Sequence, residues 1–244
     1  IDNNPESSHA ETLKHFSNSD ISIKYVAYSE QVGPANAKNR IFVEAKTPYV
    51  LCMDSHILFE PGTLKKLLDY YEQNPETKNL LQGPLLYDDM KTISTHFDPV
   101  WRGQMYGTWA TDERAKDKDA PPFEIGMSGC GVFSCRKDAW VGFNEKFRGF
   151  GGEEGYIQEK FKQAGHQTLC LPFLRWVHRF GRPDGPNYPL TLWNKIRNYF
   201  IGHLELNKDV RDIYEHFSEW CDEKQLQNLH EEAVNLLSKT SDNK

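Results

Sequence analysis

The run Tyr49-Val50-Leu51-Cys52-Met53 is apolar at every position. A strand that alternates polar and apolar residues can leave one face to water. A strand without that alternation needs cover on both faces, as in parallel sheets flanked by helices. The neighbouring segments fit such a sheet. Residues 21–28 (ISIKYVAY) alternate and are rich in β-branched side chains, which predicts a strand. Gly33-Pro34 then breaks the chain, and Ala37, Ile41 and Ala45 share one face of a predicted helix over 34–46. Pro61 opens a second helix to about Glu72, and residues 79–86 predict a further strand. Strands alternating with helices imply an α/β fold, Rossmann-like, with a mainly parallel sheet flanked by helices. Ligands of such sheets sit beyond the carboxyl ends of the strands. Asp54 and His56 stand at that place, directly after the apolar run.

The segment 87–125 has little periodicity. It carries Trp101, Trp109 and a charged run from Asp112 to Asp119, and it reads as a solvated loop that serves as a lid or binding loop. Residues 126–135 (GMSGCGVFSC) give small residues and then a strand. Asn144 to Gly152 is a glycine-rich loop, and Glu153 to Gly165 a helix with the glycine at its C-terminal cap. One or two strands over 168–178 end at His178, and helices run from Leu190 to about Lys239. The simplest division is a core domain over 1–185 and a helical C-terminal extension over 186–244. The opening Ile1-Asp2-Asn3-Asn4-Pro5 reads as the end of a strand followed by a turn, as in a chain whose first strand and helix lie upstream.

The chain has 244 residues, enough for a sizeable core without disulfide staples. Its net charge of −6 is not that of a strongly basic nucleic-acid surface, although Lys195 and Arg197 could form a local basic patch. The 13 % of aromatic residues suits a sugar-binding cleft, but an aromatic-rich core explains it more simply. The five cysteines, Cys52, Cys130, Cys135, Cys170 and Cys221, contain no CxxC pair. They read as small buried hydrophobes in a reducing, cytoplasmic setting. No stretch approaches the ~20 apolar residues of a membrane span, and the polar N-terminus is no signal peptide.

Three groups of residues could carry chemistry. Asp54 and His56, one residue apart at a strand end, can point at one ion, and a carboxylate with an imidazole suits a borderline cation such as Mn²⁺. Alone, this pattern is more often a turn aspartate beside an ordinary histidine. Gly151-Gly152-Glu153-Glu154 puts two carboxylates behind glycines at a helix start, where backbone can approach a ligand closely and one carboxylate can act as a general base. A plain helix cap explains that group equally well. His178 ends the last strand before the helices, with Arg179 and Arg182 following as possible phosphate partners or surface charge. His96, His203 and His216 have no partner pattern.

Together these stretches resemble the glycosyltransferases of the GT-A type. The run AKNRIFVEAKTPYVLCMDSH is similar to their A-R-N helix, apolar strand and D-x-D turn, with Lys38 in place of the usual arginine. The D-x-H form resembles that of the polypeptide N-acetylgalactosaminyltransferases. GFNEKFRGFGGEE resembles the glycine-rich acidic segments of that family and of the β-1,4-galactosyltransferases, and MSGCGVFSCRKDAW fits the stretch preceding them. The resemblance runs from about residue 32 to 182. It implies Asp54, His56 and His178 as ligands of Mn²⁺ or Mg²⁺. It implies Asn39, Lys38, Arg40, Gly129, Gly151, Gly152 and Arg179 around a nucleotide-sugar donor, a UDP-sugar. Glu153 would hold sugar, Glu154 would be the base, and Phe150 a sugar platform. Gly155 and Tyr156 depart from the galactosyltransferase pattern, where further acidic residues follow.

The activity so implied is transfer of a hexosyl or N-acetylhexosaminyl group to an acceptor hydroxyl. The acceptor could be a glycan, a protein, a lipid or a modified nucleic acid. Glu rather than Asn at position 154 favours inversion over retention. Two other classes stay open. Asp, His and His would also suit a Zn²⁺-dependent hydrolase, although no HExxH helix is present. A non-catalytic module that binds sugar nucleotides or glycans would follow if the first strand and helix, which normally help hold the nucleotide base, were absent.

Overall fold

The computed structural model describes residues 1–20, 22–29, 33–181 and 190–241. After α1 (Ala10–Ser19) come α2 (Pro34–Glu44), β1 (Tyr49–Met53), β2 (Ile57–Phe59) and α3 (Thr63–Gln73). Next are the short strands β3 (Leu80–Gln82), β4 (Leu85–Leu86) and β5 (Ile93–Ser94), then β6 (His96–Arg102), β7 (Met105–Ala110) and β8 (Phe123–Glu124). β9 (Val132–Arg136), α4 (Tyr156–Gln163), β10 (Thr168–Cys170) and β11 (Trp176–His178) complete the sheets, and α5 (Leu192–Glu205), α6 (Arg211–Phe217) and α7 (Glu223–Ser241) follow.

The α/β architecture with flanking helices is as the sequence predicts, but the sheets are mixed rather than mainly parallel. One sheet has the order β1-β9-β3-β10-β8 and a second the order β2-β11-β4-β5. Only the β3–β10 and β4–β11 pairs are parallel. A parallel neighbour needs a crossover connection, usually a helix. β9 is reached from β8 through residues 125–131 without one, and it enters between β1 and β3 in the opposite sense. β1 nevertheless has cover on both faces. Val50 and Cys52 face the largest apolar cluster, and Tyr49 and Leu51 pack on a smaller one.

Other expectations shift for identifiable reasons. Residues 22–28 make only a parallel bridge from Ala27 to Asp2, with Tyr28 N–H donating to the Asp2 carbonyl at 2.8 Å. The 79–86 strand divides at Gly83-Pro84, where the Gly83 Cα lies so close to Leu174 that a Cβ would stand 1.9 Å from the Leu174 carbonyl oxygen. The two halves then join different sheets. The segment 87–125 is built rather than open: β6 and β7 form a hairpin. Trp101 is no lid. It stacks on His216 with ring centroids 4.6 Å apart and packs edge-on against Tyr199 and Phe217. With Tyr106 also edge-on at 4.8 Å, the ring has four aromatic neighbours and no reason to face water.

The largest apolar cluster runs from Phe42 through Phe133 and Phe147 to Phe200, Phe217 and Leu226. Residues of the core region and of the C-terminal helices thus share one core. All five cysteines are buried and unpaired. Among the described residues no helix is long and apolar enough to cross a membrane.

Candidate functional site

The end of β1 carries the first part of the site. Asp54 N–H donates to the Gly131 carbonyl at 2.9 Å, which ties the turn to the start of β9. Two residues on, β2 pairs antiparallel with β11 so that Ile57 stands opposite His178. That register brings together two imidazoles that are 122 residues apart in the chain. The Nε2 atoms of His56 and His178 are 3.1 Å apart, with the rings at 87° to one another. Trp176 and Phe180 flank His178, at centroid distances of 6.0 and 4.0 Å.

Asp54 stands apart from that pair in its bonding. The buried Lys38, on α2, places Nζ 3.0 Å from Asp54 Oδ1 and donates to the Cys130 carbonyl at 2.7 Å. Burial pulls the ammonium toward its neutral form, but the Asp54 charge and hydrogen bond, together with the neighbouring Cys52 and Cys130, outweigh this and hold its pKa above the ordinary value. A buried cation needs such a partner. Among the described residues no group of three His, Cys, Asp or Glu gathers closely enough to hold a metal ion. Of the expected ligand trio the structure brings the two histidines together, while Asp54 is bonded to Lys38.

The histidine pair itself fits a divalent cation. Imidazole nitrogens bind at about 2.0–2.1 Å, so two of them at neighbouring corners of an octahedral shell lie about 3.0 Å apart. The observed 3.1 Å is close to that spacing, and in this structure it is the length of an N–H···N hydrogen bond between the two rings, which a bound cation would replace.

The second part of the site is the loop before α4. The structure starts this helix at Tyr156, so Glu153 and Glu154 precede it rather than open it, with Gly155 (φ +76°) at the cap. The loop is held by close backbone contact: Gly33, at φ +111°, lies so near Gly149 that a Cβ would stand 1.9 Å from the Gly149 oxygen. Glu153 is fully enclosed. Its Oε2 accepts from Gly151 N–H at 2.8 Å, and Oε1 has no partner among the described residues. Burial pushes its carboxyl above the ordinary carboxylate range, and the Glu154 charge adds to this. Glu154 is half-buried. Burial raises its pKa too, Lys38 and Lys195 draw it back, and Asp54 pushes it up. Glu154 also lines a cleft of about 240 Å³ between the β6–β7 hairpin, α4 and the end of α5, which Asp54, His56 and His178 do not line.

The helical extension supplies residues that sequence patterns did not single out as part of a site. Asn198, fully buried on α5, donates to the carbonyls of Arg148 and Gly151, each at 2.9 Å, and accepts from Arg148 N–H at 3.1 Å. Arg197 donates to the Lys146 carbonyl at 2.7 Å and to Glu232 at 2.7 Å. Lys195 lies across Gly151, where a Cβ would stand 2.6 Å from the lysine Cγ. Burial lowers its pKa, and the charges of Glu154 and Glu153 oppose that. Only the basic pair in N-K-I-R, already visible in the sequence, hinted at this.

The other expected residues scatter. Asn39 clamps backbone, donating to the Phe143 carbonyl and accepting from Phe143 N–H, both at 2.8 Å. Arg40 is exposed and pairs with Glu44 along α2, because its position turns it away from Lys38. Gly129 is buried under Trp109, its carbonyl accepting from Gln82 at 2.8 Å. Arg179 is exposed and lies 3.6 Å from Asp88. Arg182 falls outside the described residues.

The sequence pattern of Glycosyl transferase family 2 matches residues 1–139, more than half of the chain. The chain belongs to that family. This family 2 member is similar in structure to GalNAc-T7 solved with UDP, GalNAc and Mn²⁺, with a TM-score of 0.65 at 13 % identity. The likeness covers 93 % of this chain and 46 % of that one, so the chain spans under half the length of that protein. The shared feature is the GT-A fold. No curated protein matches the family 2 chain.

Proposed function

We propose that this chain transfers a sugar from a nucleotide-sugar, a UDP-sugar, to an acceptor hydroxyl with inversion at the anomeric carbon. The observation that carries the reading is Glu154, a half-buried carboxylate that lines a cleft and lies within the electrostatic reach of Lys38, Asp54 and Lys195. The histidine pair and Asp54 would hold Mn²⁺ or Mg²⁺, and a bound cation would neutralise charge growing on the diphosphate leaving group. GalNAc-T7 was solved with UDP and Mn²⁺, which supports the same class of donor here.

In this reading Glu154 accepts the acceptor's hydroxyl proton as the oxygen attacks the anomeric carbon. The bond from that carbon to the phosphate oxygen breaks, and the nucleoside diphosphate leaves with the electron pair. A raised carboxyl pKa gives a stronger base near neutral pH. Glu153 orders the loop by accepting from Gly151 N–H, and Lys38 and, more weakly, Lys195 favour the charged form of Glu154 against its burial. Five buried, unpaired thiols support a reducing, cytoplasmic setting.

The test is nucleotide release from a panel of nucleotide-sugars with Mn²⁺, with and without EDTA, followed by proton NMR of the product's anomeric configuration. EDTA-sensitive release from a UDP-sugar, with an inverted product, is expected. His178→Ala raises the Mn²⁺ concentration needed, and Glu154→Gln lowers transfer by about 10²- to 10⁴-fold. A retained product would remove the base role of Glu154. No release from any donor by folded protein would leave a binding module, and Zn²⁺ that survives dialysis with donor-independent hydrolysis would leave a hydrolase.

A further inference from the structure

The cleft beside Glu154 has a composition of its own. The hairpin contributes Phe97 and Tyr106, and the helices contribute Tyr156 and Tyr199. Both helix tyrosines have their hydroxyls engaged: Tyr199 Oη accepts from Tyr106 N–H at 2.9 Å, and Tyr156 Oη donates to Glu205 at 2.7 Å. Both of these rings are enclosed in the core and only close the floor of the cleft, so the ring surface left to a ligand is that of the half-buried Phe97 and Tyr106. Around them stand charged groups, Glu159 and Lys162 on α4 among them. Flat ring faces beside carboxylate and ammonium groups match a sugar, which has an apolar C–H face and a hydroxyl edge.

Size narrows the ligand further. About 240 Å³ is below the ~300–1,000 Å³ of pockets for drug-sized ligands, so it admits a ring or two and no extended polymer. The rear is closed by α5, whose Gly202 approaches Tyr156 so closely that a Cβ would stand 3.2 Å from Cδ2.

We infer that this cleft is the acceptor subsite and receives the terminal sugar of a saccharide, packed on the Phe97 and Tyr106 rings of the hairpin with one hydroxyl presented to Glu154. The inference rests on the transferase reading for the direction of transfer, and on the cleft alone for the class of ligand.

The test uses two variants on the cleft wall, Phe97→Ala, which removes a ring, and Glu159→Trp, which fills the space from its rim and leaves the apolar core untouched. Acceptor KM is measured for mono- and disaccharides and for serine- and threonine-containing peptides, and donor hydrolysis is measured without acceptor. Saccharide binding is read separately by saturation-transfer NMR. Each variant is expected to raise the saccharide KM about tenfold or more and to leave donor hydrolysis within about twofold, since neither residue belongs to the donor side. A preference for peptide acceptors, or an unchanged saccharide KM in both variants, overturns the inference. If the wild-type chain cleaves no donor, the transferase reading fails by itself. The NMR arm then decides the cleft: saccharide signals lost in Glu159→Trp support it, and no saccharide signal in the wild type overturns it.

Discussion

The turn Asp54-Ser55-His56 and the loop Gly149 to Glu154 lie near enough for the Asp54 charge to act on Glu154, but they are held in place by different means. The turn is placed by strand pairing. Asp54 follows β1, and the antiparallel register of β2 on β11 sets His56 against His178. The loop has no strand to hold it. It is fixed by side chains from a helix about 50 residues further on, through Asn198 and Arg197, and by backbone contact with Gly33. The family 2 pattern, over residues 1–139, covers the turn and stops short of the loop. Positions set by backbone pairing tolerate side-chain change nearby, whereas a loop held by a few polar side chains concentrates its stability in those residues.

The sharpest way to break this comparison is at the point both regions share. Gly33 starts the helix that carries Lys38, and it also touches Gly149. Gly33→Ala meets two costs: a positive φ of +111° and a Cβ directed at a backbone oxygen. Strain and overpacking each cost about 1–3 kcal/mol, so a loss of about 4 kcal/mol is expected in urea unfolding. A variant with wild-type stability would mean that the two loops are free to separate.

Asn198→Ala tests the loop alone. It leaves one N–H and two carbonyls of the loop without partners, in a place without exposure. Unsatisfied buried groups cost about 1–3 kcal/mol, and about 3 kcal/mol is expected by the same measurement. Nucleotide release from donor is expected to fall further than stability alone accounts for, while Mn²⁺ affinity stays within about twofold of wild type, because the histidine pair depends on strands instead. An equal loss of metal affinity would show that the two regions are one cooperative unit.

Which parts the sequence disclosed follows the same division. β1 was legible because strand periodicity is a local pattern, whereas Asp54, His56 and His178 stood out as a group only through the family resemblance, since each alone reads as an ordinary turn or strand-end residue. The double glycine before Glu153 was legible for its permissive backbone. The clamp was not. Asn198 sits inside a helical pattern like any polar helix residue, and nothing local says that its amide reaches the loop at Gly151. The β6–β7 hairpin was hidden because its residues pack on helices more than 90 residues away, so side-chain burial there follows no period of 2. The mixed sheet was hidden because strand direction depends on the route of the connection, which hydrophobic pattern does not encode.

The smallest expected effect concerns charge across the boundary between loop and helix. Burial raises the Glu154 pKa and Lys195 lowers it. The base form of a carboxyl is lost as pH falls through its pKa, so the acid limb of transfer activity is expected above the ordinary carboxylate range. Lys195→Met keeps the methylene packing over Gly151 and removes the ammonium. The carboxyl then loses the weaker of the two cations that favour its charged form, its pKa rises slightly, and the acid limb moves to higher pH. Activity on the alkaline plateau changes little, because Glu154 is ionised there in both proteins. The profile of kcat/KM against pH measures this directly. An acid limb that stays put, with the plateau falling instead, would mean that Lys195 acts on the donor and not on the base.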